Sequence, residues 1–180
     1  QEIKWHAWLG FNSSAEFGGI IGTYEGAMQH RYKIYRPTLN SKMRALGEPF
    51  NMPSIESFIV EIYRLVDPID SATPTDSVLT GGDQLFVIPM EPSDHQLSIQ
   101  WLINGQVVQG ATGRTFRVDD YPFPDGSYEV SVVVVDNTPW VRNEEARSRW
   151  MTSTRAWQVV VDQELPVIVT QPADQTVNVG

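Results

Sequence analysis

The chain of 180 residues contains no cysteine. That excludes disulfides, thiolate catalysis and cysteine-type zinc sites, although it leaves the compartment open. Histidine is scarce, at three residues, and His6, His30 and His95 form no i, i+4 pair and no HExxH. A zinc-binding helix is therefore missing from this chain. No apolar run approaches the roughly 20 residues of a membrane span. Basic residues are outnumbered, with 13 Lys and Arg against 22 Asp and Glu for a net charge of −9, which argues against non-specific nucleic-acid binding. No Gly-rich phosphate loop and no serine nucleophile in a known context occurs. Gln1 opens a polar, mixed stretch instead of a leader, so the chain reads as a mature form or an excised piece.

What is present suggests two units. Apolar content is 41%, normal for globular folding. Residues 1–70 carry a net charge of −1 and residues 71–163 carry −6. Between them, DPIDSATPTDSVLTGGD (67–83) has the Pro, Asp, Ser, Thr and Gly content of a linker or domain entry. The expected division is 1–70, 71–163 and a final piece at 164–180.

In the first unit, Trp5, Trp8 and Leu9 suit one side of a helical turn or an aromatic plug, and Phe11–Gly19 reads as loop. A helix is expected over Ser54–Val66, with Ser54 as N-cap, Glu56 in the first turn and Asp67-Pro68 as the stop. Ile55, Phe58, Ile59, Ile62, Leu65 and Val66 then form one apolar stripe at helical period, expected to face a core.

The second unit reads as all-β. Leu97, Ile99, Trp101 and Ile103 alternate with more polar neighbours, as in a half-buried strand. Asn104-Gly105 signals a tight hairpin. Thr115–Val118, Ser127–Val135 and Ala156–Val161 supply further strands, and Pro124-Asp125-Gly126 a turn. Strands at this spacing predict an immunoglobulin-like sandwich, with Trp101 and Tyr128 in its core. Residues 137–155 read as a long polar connection carrying Trp140 and Trp150, which form either packing between modules or a binding surface for sugar or protein. PVIVTQPADQTVNVG, at the end, looks like the start of a further sandwich. Asp119, Asp120, Asp125, Asp136 and Asp162 lie near strand ends. Carboxylates there suit calcium with backbone carbonyls, although solvated turn acids are the plainer reading.

The densest stretch is Gly22 to Arg44, GTYEGAMQHRYKIYRPTLNSKMR. Its Gly and Pro interruptions suggest a positioned loop with short regular pieces. Glu25 suits a turn carboxylate paired with Arg31 or Arg36, or a buried acid that orders a wall. Arg36 suits a fork onto a carboxylate or onto carbonyls, and Met43 either core filler or a turn beneath a metal site.

At this stretch the sequence resembles the bacterial IgA-peptidase-type zinc metallopeptidases, a metzincin-like secreted family. Gly22, Glu25, Gly26 and Ala27 match its G-x-x-E-G-A pattern, Tyr35-Arg36-Pro37 its Y-R-P, and Met43-Arg44 its Met-turn. Phe50–Val66 looks like the helix that follows, and Lys4-Trp5 like the segment leading in. The resemblance covers about residues 1–67. The family's zinc helix lies upstream and is missing here, and cysteines that some members carry near the Met-turn are replaced by Asn40-Ser41 and Asn51-Met52. The resemblance implies an α+β end piece of a peptidase domain followed by an immunoglobulin-like sandwich. It implies zinc in the whole protein, an upstream catalytic segment and a protein substrate as partners, and a secreted or cell-surface location. Glu25, Tyr35, Arg36 and Met43 would support the site, and this chain alone would be inactive. The alternative is a non-catalytic sandwich that binds glycan or protein, or a spacer.

Overall fold

The computed structural model describes residues 3–162. The expected start of a further sandwich at 164–180 lies outside the described residues. Two short 3-10 turns, His6–Trp8 and Ala15–Phe17, open the described chain. An antiparallel hairpin follows, β1 (Tyr24–Ala27) with β2 (His30–Arg36). Helix α1 (Met52–Tyr63) then leads into eight strands.

Those strands form two sheets. β3 (Ile69–Ala72), β5 (Leu85–Pro89) and β8 (Thr115–Phe116) make a three-stranded sheet in the order β3-β5-β8. β4 (Leu79–Thr80), β6 (Ser98–Ile103), β7 (Gln106–Val107), β9 (Gly126–Val135) and β10 (Thr152–Val161) make the other, in the order β4-β10-β9-β6-β7. The chain is therefore a β-sandwich with an N-terminal extension and two helices. The stretch that reads as a linker or domain entry supplies β3 and β4, since Ile69 and Leu79 have a core to enter.

Period-two burial drives the larger sheet. Ile99, Trp101 and Ile103 of β6 and Val130, Val132 and Val134 of β9 all point inward. Their register sets Trp101 opposite Val132 and Ile103 opposite Val130. Trp101 stacks at 5.1 Å on Phe116 of the facing sheet and at 5.7 Å on Trp157 of β10. Burying each such side chain contributes about 2–3 kcal/mol, so these three rings are the centre of the fold. The buried rings also find polar partners, Trp101 Nε1 donating to Gly113 O and Trp157 Nε1 to Thr73 O. Asn104 and Gly105 both take positive φ, the conformation that turns β6 into β7 with the twist of the strands. Tyr128 is partly buried against the core, and its hydroxyl reaches back to Pro124 O at 2.8 Å.

Helix α1 starts earlier than Ser54. Pro53 lacks an N–H and presets its φ for a first turn, so the cap falls on Asn51. Asn51 Oδ1 accepts the Ser54 N–H at 3.0 Å, while its Nδ2 donates to Thr38 Oγ1 at 2.8 Å and ties the helix to the loop after β2. The expected apolar stripe does not face inward. The buried positions are Met52, Pro53, Glu56, Val60 and Tyr63, whereas Phe58, Ile62, Leu65 and Val66 are exposed. Ile55 and Ile59 lie at the boundary, partly buried. Hydrogen bonds to Glu56 and Tyr63 decide the rotation, and the apolar side is left to solvent.

Residues 137–155 are not a loose connection. They contain α2 (Glu144–Trp150), capped by Asn143, and the first strand residues of β10. Two smaller cores join this region to the extension. One holds Val60, Tyr63, Val141 and Met151; the other holds Trp8, Ile21 and Met52, with Phe11, Phe17 and Trp140 packed around it.

Candidate functional site

The second of those small cores opens to solvent as a cleft of about 710 Å³. One wall is Phe11 and Phe17 from the extension. The other is Pro139, Trp140, Val141 and Arg142 from the segment between β9 and α2, with Trp8 and Met52 behind. Phe17 and Trp140 meet edge to face across it at 5.4 Å. Arg142 lies over two rings, 4.2 Å from the Phe11 centroid and 5.0 Å from that of Trp8.

Beneath the cleft sits a buried carboxylate. Glu56 Oε2 accepts from Trp8 Nε1 at 2.6 Å, and Oε1 accepts the N–H groups of Arg142 and Asn143, each at 2.7 Å. A carboxylate suits this place because the three donors divide between its two oxygens, and an acceptor-only group satisfies all three. Glu56 thus joins the extension, α1 and the cleft segment. The expectation that it sits in the first turn for the helix dipole gives way to this inward role.

A second polar tie lies two turns along α1. Tyr63 Oη donates to Asp136 Oδ2 at 2.6 Å. Asp136 Oδ1 accepts the Thr138 N–H at 2.7 Å and faces His95 Nε2 at 2.8 Å. Arg147 from α2 donates to the carbonyls of Asp136, Thr138 (3.1 Å) and Val141. Asp136, Thr138, Val141, Arg142 and Asn143 are therefore held by bonds that lead to α1 and α2. Burial first, and then the bonded Asp136 carboxylate, hold the Tyr63 hydroxyl far above the usual phenol range.

The residues singled out in the sequence separate into three places. Glu25, Arg36 and Met43 share a hollow of about 850 Å³ under the β1–β2 hairpin, with His30, Arg31 and Arg44. Tyr35 is exposed outside its lining. Glu25 is exposed, not a buried acid, and its Oε1 accepts the Lys33 N–H at 2.9 Å across the hairpin. Arg36 forks onto carbonyls: Nη1 donates to Glu25 O at 2.7 Å and to Gly26 O, and Nε to Leu39 O at 3.2 Å. Met43 is 73% exposed, so it is not core filler. Trp140 belongs to the cleft. Trp150 is half-buried away from it, between the guanidinium groups of Arg64 (5.2 Å) and Arg149 (4.9 Å).

Among the described residues, no group of three or more His, Cys, Asp or Glu side chains is placed to hold a metal ion. The described residues do not fit a zinc ligand set. Among them, too, no helix is long and apolar enough to cross a membrane.

No family model matches the sequence, and the curated proteins give no match. Among solved structures, the chain is similar to the fibronectin(III)-like modules of Clostridium thermocellum CbhA, at 16% identity over 51% of this chain and 93% of that one, with a TM-score of 0.28. It is also similar to a quinonprotein alcohol dehydrogenase-like protein of Bacteroides thetaiotaomicron, at 15% identity over 54% of this chain and 21% of that one, with a TM-score of 0.33. Likenesses this shallow carry no argument, and the β-sandwich stands on its own strand order and core.

Arg142, Phe11 and Phe17 escaped sequence reasoning, and Glu56 reads there only as a first-turn acid. The available signal was Glu56 itself, spaced four residues from both Met52 and Val60 on what is the buried face.

Proposed function

We propose that the chain is a non-catalytic β-sandwich module that binds a protein partner through its aromatic cleft. The observation that carries this reading is the cleft's composition. Phe11, Phe17 and Trp140 with a ring-stacked Arg142 are the side-chain types that anchor protein interfaces. The backbone of the wall that carries Trp140 and Arg142 is pre-positioned by Glu56 and Arg147, which lowers the ordering cost of binding. Selection of a displayed random-peptide library on the purified chain tests it. Enriched peptides should lose at least tenfold in affinity on Trp140→Ala and keep it on Trp150→Ala, while a glycan array stays silent. Enriched peptides indifferent to Trp140→Ala, or binding to glycans alone, would refute the reading.

A second reading is favoured by the outward face of residues 20–66. Leu39, Met43, Leu46, Phe58, Ile62 and Leu65 are all exposed, Leu46 at 99%. A surface this apolar suits cover by another domain. In that reading residues 1–70 close a zinc metallopeptidase domain, as the resemblance of Gly22–Arg44 implies. Glu25, Tyr35, Arg36 and Met43 then shape a wall beside a site whose metal ligands come from elsewhere in a secreted protein, and the sandwich acts as its spacer. Joining this chain to the codons upstream of Gln1 in its gene tests it. The joined protein should bind stoichiometric zinc and cleave peptides in an EDTA-sensitive way; no HExxH upstream sinks it.

A further inference from the structure

We infer that His95 is a pH-sensitive latch that, when charged, holds helix α1 and the cleft wall onto the sandwich. The ring lies between two carboxylates: Nδ1 is 2.7 Å from Asp94 Oδ1 and Nε2 is 2.8 Å from Asp136 Oδ1. A neutral imidazole carries one N–H and can serve only one of them. The doubly protonated ring serves both, so this geometry selects the cation. Asp94 is exposed, whereas Asp136 is buried and shared with Tyr63 of α1 and with the N–H of Thr138.

The other groups around the latch support the same polarity. Arg147 of α2 is spent on the carbonyls of Asp136, Thr138 and Val141 and does not take the Asp136 carboxylate. Glu91 and Arg114 pair with each other across the hollow that His95 lines. Tyr63 stays a neutral donor. His95 is thus the cation that answers the buried Asp136 charge. Burial opposes the ring's charge, but Asp94 and Asp136 outweigh it and raise its pKa above the usual histidine value.

The sign follows. A histidine whose folded pKa is raised adds stability in full below its unfolded value of about 6.5, and that stability is lost as pH rises through the folded value. When the ring becomes neutral, its single N–H serves only one of the two carboxylates, and the positive charge that faced Asp136 is lost. The segment from Asp136 to Asn143, and with it Trp140 and the cleft, loosens towards mildly alkaline pH. This holds whatever the cleft binds.

Histidine NMR titration and hydrogen–deuterium exchange on the whole chain test the latch. The signal missing in His95→Gln identifies the ring. It should titrate above about 6.5. Corrected for base catalysis, exchange of peptides spanning 59–66 and 136–143 should accelerate in the parent as pH rises above about 6.5 and through the folded value of the ring, and stay flat in His95→Gln. A tenfold change in opening corresponds to one pH unit between the folded and unfolded ring values. A His95 titration at or below its usual value overturns the inference. So does the same exchange profile in parent and variant. Asp94→Asn, at an exposed position outside the core, is the second variant. It should lower the titration point of His95 while leaving the fold intact, and an unmoved titration point overturns the inference as well.

Discussion

Replacing Glu56 is the perturbation that most directly probes how the extension is held. In Glu56→Ala the indole N–H of Trp8 and the backbone N–H groups of Arg142 and Asn143 all lose their acceptor at once. Each buried donor left without a partner costs about 1–3 kcal/mol. Water entering through the adjacent cleft relieves part of this, so the net loss should be about 3–5 kcal/mol. Glu56→Gln keeps the shape and one acceptor oxygen but presents its NH₂ to a donor, and should cost about 1–3 kcal/mol. Urea unfolding read by tryptophan fluorescence measures both. With a slope of about 2 kcal/mol/M, Glu56→Ala should shift the midpoint by about 2 M. The loss should fall on the extension first, because the sandwich keeps its own core of Trp101, Phe116 and Trp157. An early fluorescence change at Trp8 ahead of the sandwich transition is therefore expected. A Glu56→Ala midpoint within about 0.3 M of the parent would refute the reasoning, because three buried donors would then have found other acceptors at no cost.

Two further expectations follow from α1. The Tyr63 phenol is held above its usual range, so its contribution is complete below about pH 10 and fades as pH rises through the folded value; Tyr63→Phe should cost about 1–2 kcal/mol at neutral pH and flatten the alkaline limb of a stability–pH curve. Ile62→Ser and Leu65→Ser alter exposed positions and should change stability by less than about 0.5 kcal/mol in thermal melts, whereas Val60→Ser, on the buried face, should cost about 2 kcal/mol or more.

The strands were legible because their information is local. The alternation through Leu97–Ile103 and the Asn104-Gly105 turn each specify one geometry without reference to distant residues. The rotation of α1 was not legible, because the helix has two usable faces. Its apolar stripe is the more regular one, yet the face that packs carries a glutamate and a tyrosine whose partners lie 48 to 87 residues away. No period in the sequence encodes such a pairing. The cleft was partly legible. Trp8, which suits a helical turn or an aromatic plug, is buried at the end of a 3-10 turn, but Phe17 falls in a Gly/Ser-rich run that reads as loop and becomes a 3-10 turn against Trp140. Arg36 was legible only as a fork with two kinds of target, and the tight β1–β2 hairpin chose carbonyls over a carboxylate.

The five-stranded sheet ends at both sides in a strand of two residues, β4 and β7. Each is too brief to offer another chain a usable row of unpaired N–H and C=O groups, while the ten-residue strands β9 and β10 lie inside the sheet. Among the described residues this sheet therefore offers crowded copies of the unit no edge long enough to exchange strands or seed fibres, and strand pairing between copies would have to use the free edges of β2 or β3 instead.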